Sequence, residues 1–250
     1  MKPFHSLTKK LSITICSVTM LMLSSSTAFA DSLGLGISAK GSTLGPGIEL
    51  DYRINENFNL RVQANGYNYS DDLNEDGIDY AGEIDLSTTG VLVDWRPFSG
   101  TFRATAGIYA NGNKLSAIAT DNGGDIYEIG DASYRSANND PFSLDANIEL
   151  GKSTAGYLGL GWGNALASGW MFSFELGVLF TGKPDVALAA SGSAIVSEQG
   201  ISQQFSVTDS SNPLVQELNN NLRLEEANLE NDISEFELYP VIALGVGYRF

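Results

Sequence analysis

Trp170-Met171-Phe172-Ser173-Phe174-Glu175-Leu176-Gly177-Val178-Leu179-Phe180 decides the fold class. Side chains alternate across an extended strand, so Trp170, Phe172, Phe174, Leu176, Val178 and Phe180 share one face, and Met171, Ser173, Glu175, Gly177 and Leu179 share the other. One face suits hydrocarbon; the other, with a carboxylate and small residues, does not. The end of the chain repeats the pattern: Phe236, Leu238, Pro240, Ile242, Leu244, Val246, Tyr248 and Phe250 oppose Glu237, Tyr239, Ala243, Gly245, Gly247 and Arg249.

Six more segments fit the same template. Leu33, Leu35 and Ile37 alternate with Gly34, Gly36 and Ser38, and Ile48, Leu50, Tyr52 and Ile54 with Glu49, Asp51 and Arg53. Phe58, Leu60, Val62 and Ala64 oppose Asn59, Arg61, Gln63 and Asn65; Phe102, Ala104, Ala106 and Ile108 oppose Arg103, Thr105 and Tyr109; Leu158, Leu160 and Trp162 oppose glycines. In the remaining segment Ile84 and Leu86 are out of phase with Val91, Val93 and Trp95, which predicts a bulge near Thr88-Thr89-Gly90. Segments of about ten residues with one apolar face are the signature of transmembrane β-strands, and strands in hydrocarbon must close so that no backbone group is left unpaired. The fold class is therefore all-β: an eight-stranded antiparallel transmembrane β-barrel. Leu144, Ala146, Ile148 and Leu150 form another alternating stretch, read as strand six extended beyond the bilayer, with ten strands as the competing reading.

Outward from the strands, the first thirty residues carry Lys2, Lys9 and Lys10, an apolar run from 11 to 23 and Ala28-Phe29-Ala30, the pattern of a cleaved secretory signal peptide. One barrel domain, 31–250, is expected to follow. Export plus a barrel points to the outer membrane of a Gram-negative cell. Short connections at 55–57, 97–100 and 166–169 alternate with long ones at about 40–42, 70–82, 112–154 and 182–235. Bacterial barrels put short turns in the periplasm and long loops outside, which places both termini in the periplasm. Trp95, Phe98, Trp162 and Trp170 then form a periplasmic aromatic girdle. In the fourth long loop, Pro213 precedes Leu214, Leu218, Leu222, Leu229 and Ile233 at helical spacing, which predicts a short amphipathic helix over the extracellular mouth.

Charge and composition remove several function classes. The 250 residues hold 30 acidic and 14 basic side chains, for a net charge of −16, which disfavours nucleic acid as a partner. The single His5 and single Cys16 both fall in the predicted leader, so a mature chain has no imidazole for general-base work and is read as no enzyme. By parity the lumen is lined by Lys40, Glu49, Asp51, Arg53, Arg61, Glu83, Asp85, Arg103, Glu175 and Arg249, with Glu237 also facing inward. The carboxylate pairs Glu49 with Asp51 and Glu83 with Asp85 are read as salt-bridged packing rather than as acid and base. An eight-stranded barrel is about wide enough for its own side chains, so a packed resting lumen is favoured over a narrow polar path.

Asp72-x-Asn74-x-Asp76-Gly77-x5-Glu83 matches the spacing of a calcium loop, with Asp72, Asn74, Asp76 and Glu83 as the oxygen donors. Strands rather than helices flank it, and a solvated acidic hairpin tip is favoured, so no cofactor is expected.

Gly245-x-x-Tyr248-x-Phe250 resembles the assembly signal of outer-membrane barrels, read by the barrel-insertion machinery. Tyr157-Leu158-Gly159-Leu160-Gly161-Trp162-Gly163-Asn164, the segment Gly169-Trp170…Glu175-Leu176-Gly177…Thr181-Gly182-Lys183-Pro184, and Tyr239-Pro240-Val241…Gly245-Val246 look similar to a family of small eight-stranded outer-membrane proteins. It includes the carbapenem-associated, ornithine-uptake channels of Acinetobacter-type bacteria and, more broadly, resembles OmpA/OmpW-like barrels. The resemblance implies a monomeric barrel, surrounded by outer-membrane lipid and lipopolysaccharide, that passes small polar or cationic solutes including basic amino acids. A non-conducting surface protein that binds a partner through its long loops is the alternative.

Overall fold

The computed structural model describes residues 34–75, 78–98, 100–163, 169–198 and 201–250. The predicted leader, Asp76, Gly77 and most of the 166–169 turn lie outside the described residues. In chain order the strands are β1 (Leu35–Ser42), β2 (Gly45–Arg53), β3 (Phe58–Glu75), β4 (Ile78–Trp95), β5 (Phe102–Asn111), β6 (Lys114–Thr120), β7 (Ile126–Ile129), β8 (Ala132–Ser136), β9 (Ser143–Glu149), β10 (Thr154–Gly163), β11 (Gly169–Phe180), β12 (Asp185–Ser191), β13 (Ser193–Glu198) and β14 (Ile201–Ser206). Helix α1 (Pro213–Asp232) and a single 3-10 turn (Ser234–Glu237) precede β15 (Leu238–Arg249), so the last strand starts two residues later than the alternation suggests.

Eight strands close into an antiparallel barrel in the order β4-β3-β2-β1-β15-β11-β10-β5, with β5 returning to pair with β4. The ten-strand reading is thereby set aside. Outward-facing Ile37, Leu50, Val62, Val91, Ile108, Leu158, Phe172, Leu176, Ile242 and Leu244 are all exposed, and the residues alternating with them are buried or half-buried. A belt of this kind is stable only against hydrocarbon; in water it would be an aggregation surface.

Beyond the barrel the wall continues upward. β5 and β6 run along β4 in one register, Thr88 opposite Asn111 and Asp85 opposite Lys114, joined where the Gly112 N–H donates to the Ser87 carbonyl at 2.8 Å. β9 likewise extends β10, and β12 pairs with β9 at the free edge. The expected extension of strand six is therefore present, and strand five is extended with it.

No bulge interrupts residues 88–90: β3 and β4 keep one register from Phe58 opposite Trp95 to Glu75 opposite Ile78. The irregularity lies next door. Lys114 pairs with Glu149 while Ala110 pairs with Thr154, so the β9–β10 side carries one extra residue, and Gly151 takes up the turn with φ +93°. The phase change in β4 has a different cause. Above Asn65 and Thr88, inward positions become mainly apolar (Tyr67, Tyr69, Leu73; Tyr80, Ile84, Leu86; Leu115, Ala117), with Asp71 among them held by the Tyr69 hydroxyl, while Asn68, Ser70, Asp72 and Glu83 turn outward. The side facing the medium is now the polar one because that medium is water.

A second sheet, ordered β14-β13-β8-β7, and α1 pack over part of this apolar inner face. Tyr127, Ile129, Tyr134, Phe142, Ala194, Phe205, Val215, Leu218 and Leu222 form their shared core, with Ala119, Leu144, Leu188 and Ala190 of the extended wall against it. The helix starts as its sequence requires. Asn212 Oδ1 accepts the Leu214 N–H at 3.0 Å and Pro213 occupies the first turn, where no N–H is missed. It runs for twenty residues and buries Val215, Leu218, Asn221 and Leu222. Its acids hold backbone: Leu188 N–H donates to Glu226 Oε1 (2.7 Å), Val186 N–H to Glu230 Oε1 (3.3 Å) and Gly130 N–H to Glu225 Oε2 (3.3 Å). The long connections at 112–154 and 182–235 are thus a folded cap, not loops.

Candidate functional site

Alternation on the barrel strands delivers polar side chains to one enclosed space. Lys40 from β1, Glu49 and Asp51 from β2, Arg61 from β3, Arg103 from β5, Glu175 from β11 and Arg249 from β15 are all buried there. Seven of the ten residues predicted to line the lumen do so as expected. Arg53 is half-buried near the short-turn end.

Glu83 and Asp85 do not line it. With no bulge in β4 their odd-numbered positions share the outward face with Val91 and Val93, on the part of β4 that pairs with β6 above the barrel. Glu83 accepts from Asn68 Nδ2 at 2.5 Å, and Asp85 sits 3.6 Å from exposed Lys114. Glu237 is exposed in the 3-10 turn. Tyr109, opposite the outward row of its strand in sequence, is buried inward, and sequence reading passed over Asp94, Arg96 and Tyr157, which are buried inward too. Asp94 and Arg96 alternate with the exposed Val93 and Trp95, which is the signal that would have placed them.

Glu175 and Arg61 are the centre of the network. Glu175 Oε2 receives Arg103 Nη2 at 2.5 Å and Arg61 Nη2 at 2.9 Å, with Lys40 Nζ 3.8 Å away, while Glu175 Oε1 accepts the Tyr157 hydroxyl at 2.6 Å. Arg61 also meets Glu49 Oε2 at 2.5 Å and Asp94 Oδ1 at 2.9 Å, and Glu49 takes Lys40 Nζ at 2.6 Å. Thr105 donates to Asp94 at 2.7 Å. Nearer the short-turn end Arg249 pairs with Asp51, and Arg96 Nη1 donates to the Gly100 carbonyl at 3.2 Å. Charges this deep are tolerable because each has opposite charge and hydrogen bonds around it.

Toward the cap the filling turns apolar. Leu44, Leu92, Tyr109, Ala155, Tyr157, Leu179 and Val241 pack into one buried cluster. Tyr157 fits because Gly159 and Gly177 flank it; a Cβ at either would collide with its hydroxyl. Tyr109 and Tyr157 meet edge-on at 5.6 Å, and both reach back into the polar layer, Tyr109 to Gln63 at 3.3 Å. The cavity left among Glu49, Asp51, Arg61, Asp94, Arg96 and Arg103 is about 20 Å³, room for one or two waters. The lumen is a packed core.

Of the predicted calcium donors, Asp76 lies outside the described residues, and Asp72, Asn74 and Glu83 are spread along the hairpin. Asp72 and Asn74 lie in the paired part of β3, opposite Ala81 and Asp79, and Glu83 stands opposite Ser70 farther down the hairpin. Asn74 Nδ2 donates to Asp79 at 2.5 Å. Among the described residues no group of three or more acids, histidines or cysteines is placed to hold a metal. Gly245, Tyr248 and Phe250 fall on or just past β15, which closes the barrel against β1, with Tyr248 and Phe250 exposed on the apolar belt.

Two solved structures share this fold. The crystal structure of Acinetobacter baumannii CarO aligns with a TM-score of 0.52 at 20% identity, covering 86% of this chain and 97% of that one. The crystal structure of Acinetobacter baumannii CarO2 aligns with a TM-score of 0.51 at 21% identity, covering 86% and 98%. No protein-family model matches the chain, and no curated protein matches it. At these identities the likeness establishes the barrel fold, which is the one the sequence resemblance implied.

Proposed function

We propose that this chain is an outer-membrane barrel that is closed at rest and presents its folded cap at the cell surface, with the cap as the working part. The observation that carries this reading is the 20 Å³ space at the ionic layer, far too small for a solute larger than water. The cap supplies a surface to match. Tyr67 and Tyr69 lie with ring planes 4° apart and centroids 6.5 Å apart on the inner face of the extended wall, both exposed, beside exposed Tyr80 and Leu73. Planar bilayers test it: the wild type is expected to pass no steady current, and a stable unitary conductance from folded, purified protein would overturn it.

Passage of small cationic solutes such as basic amino acids, which the sequence resemblance implies, is the second reading. It is favoured by one observation: the obstruction is made of side chains, with no inserted backbone segment among the described residues lining it. Under it, Glu49→Gln, Asp51→Asn and Arg103→Gln variants change the conductance, and liposomes carrying the wild type swell in basic amino acids faster than in neutral ones.

A further inference from the structure

Four of the chain's seven lysines follow residue 30, and Lys40 is fixed in the lumen. The other three are exposed, and all lie where the barrel passes into the cap: Lys114 opens β6, Lys152 sits in the bulge between β9 and β10, and Lys183 lies between β11 and β12. Lys114 is balanced by Asp85 at 3.6 Å and by Glu149 opposite it in register. Lys152 and Lys183 differ from it. The Lys152 N–H donates to the Thr181 carbonyl at 2.8 Å, and its side chain runs along Gly182, with Cε 3.5 Å from where a Cβ there would stand. The two lysines therefore leave adjoining stretches of backbone. Neither has an ion-pair partner among the described residues, although the chain carries 30 acids and Glu149 and Asp185 stand close by in sequence, opposite each other across β9 and β12.

Their height is fixed by the apolar belt. Phe180 and Leu238, opposite each other on β11 and β15, are its last exposed outward members on these strands. Lys183 follows Phe180 by three residues, a reach of about 10 Å at most, which sets its backbone in or just above a headgroup layer of roughly 5–8 Å beside the hydrocarbon. Two exposed lysines on adjoining backbone segments at that height suit an anion held in the same layer.

We infer that Lys152 and Lys183 form a docking site for the phosphate of a phosphorylated lipid in the leaflet around the cap end of the barrel. This rests on the membrane reading above. Lys152 and Lys183 supply charge from two adjoining segments, and the exposed Phe180 and Leu238 below them seat the acyl chains of the same lipid.

The test uses the full folded chain, reconstituted with bisphosphorylated lipid A, and counts lipid retained per barrel by native mass spectrometry after detergent exchange. The wild type is expected to retain it. K152Q/K183Q is expected to bind about 25-fold weaker, at roughly fivefold for each lysine lost near a charged surface, whereas K152R/K183R keeps the wild-type level and K114Q changes it little. Dephosphorylated lipid A should be retained no better by the wild type than by K152Q/K183Q. Equal retention by the wild type and K152Q/K183Q overturns the inference, as does displacement of the lipid by millimolar inorganic phosphate, which would assign the lysines to a free anion. Failure of the wild type to insert into vesicles would instead sink the membrane reading, so the two failures are told apart.

Discussion

In the barrel half of β3, Arg61, Gln63 and Asn65 are buried inward while Val62 and Ala64 face out; a few residues on, Tyr67, Tyr69 and Leu73 hold the inward side and Asn68, Ser70 and Asp72 the outward. Barrel wall and cap wall are thus the same strand in the same register with opposite polarity. β4 shows the same inversion between Leu92–Asp94 and Tyr80–Ile84. What changes along the strand is the surroundings. Below, hydrocarbon lies outside and ion pairs fill the inside; above, water lies outside and the inner face is apolar, covered by the cap core along β6, β9 and β12 and open along β3 and β4.

The largest test of the contrast removes one carboxylate from each half. Glu175→Gln leaves Arg103 and Arg61 short of charge inside the barrel and is expected to cost about 3–5 kcal/mol, read as a lower urea midpoint for unfolding from bilayers. Asp85→Asn, which breaks the partly exposed pair with Lys114, is expected to cost about 0–1 kcal/mol in the same assay. If the two changes cost the same, the lumen charges are solvated and the packed interior is wrong.

Exposure offers a sharper comparison. Leu244 on the barrel is 64% exposed and Leu73 on the cap hairpin 66% exposed, so counting area alone makes them equivalent. Leu244→Lys is expected to destabilise the inserted barrel by about 2–4 kcal/mol if it lies near the bilayer midplane, and Leu73→Lys to cost less than about 0.5 kcal/mol, because only the first places an ammonium in hydrocarbon. Equal unfolding midpoints for the two variants would place both leucines in one medium.

The smallest effect belongs to the cap core. The Tyr127 hydroxyl is buried against Phe142 without a hydrogen-bond partner among the described residues, and burial, with Asp121 and Asp125 nearby, pushes it up to about 12. It therefore stays protonated across the working pH range. Tyr127→Phe removes an unsatisfied polar atom and keeps the ring, and is expected to leave cap protection in hydrogen exchange unchanged or raise it by up to about 1 kcal/mol.

The barrel strands were legible because each keeps one medium on each side, so Phe172–Phe180 and Ile242–Phe250 print their alternation directly. The helix was legible too, since Asn212-Pro213 and the leucines at 214, 218 and 222 combine a cap with a 3.6-residue period. β4 was misread for a physical reason. Moving a strand from lipid into water inverts which face is apolar, and in a two-residue period that inversion reads the same as an inserted residue. Glu83 and Asp85 went to the lumen on that misreading. Asp94, Arg96 and Tyr157 were missed because a barrel interior accepts aromatic as well as charged residues, so inward position depends on phase more than on residue type.

The carboxylates that α1 sets against β12 bear on life in a crowded bilayer. β12 is the last strand of its sheet, and an uncovered rim of that sort invites another molecule to add a strand of its own. Glu226 and Glu230 already occupy its Leu188 and Val186 amides. A neighbouring copy therefore finds two amides of that rim already taken, and the helix that helps build the cap also guards the edge of the wall it packs against.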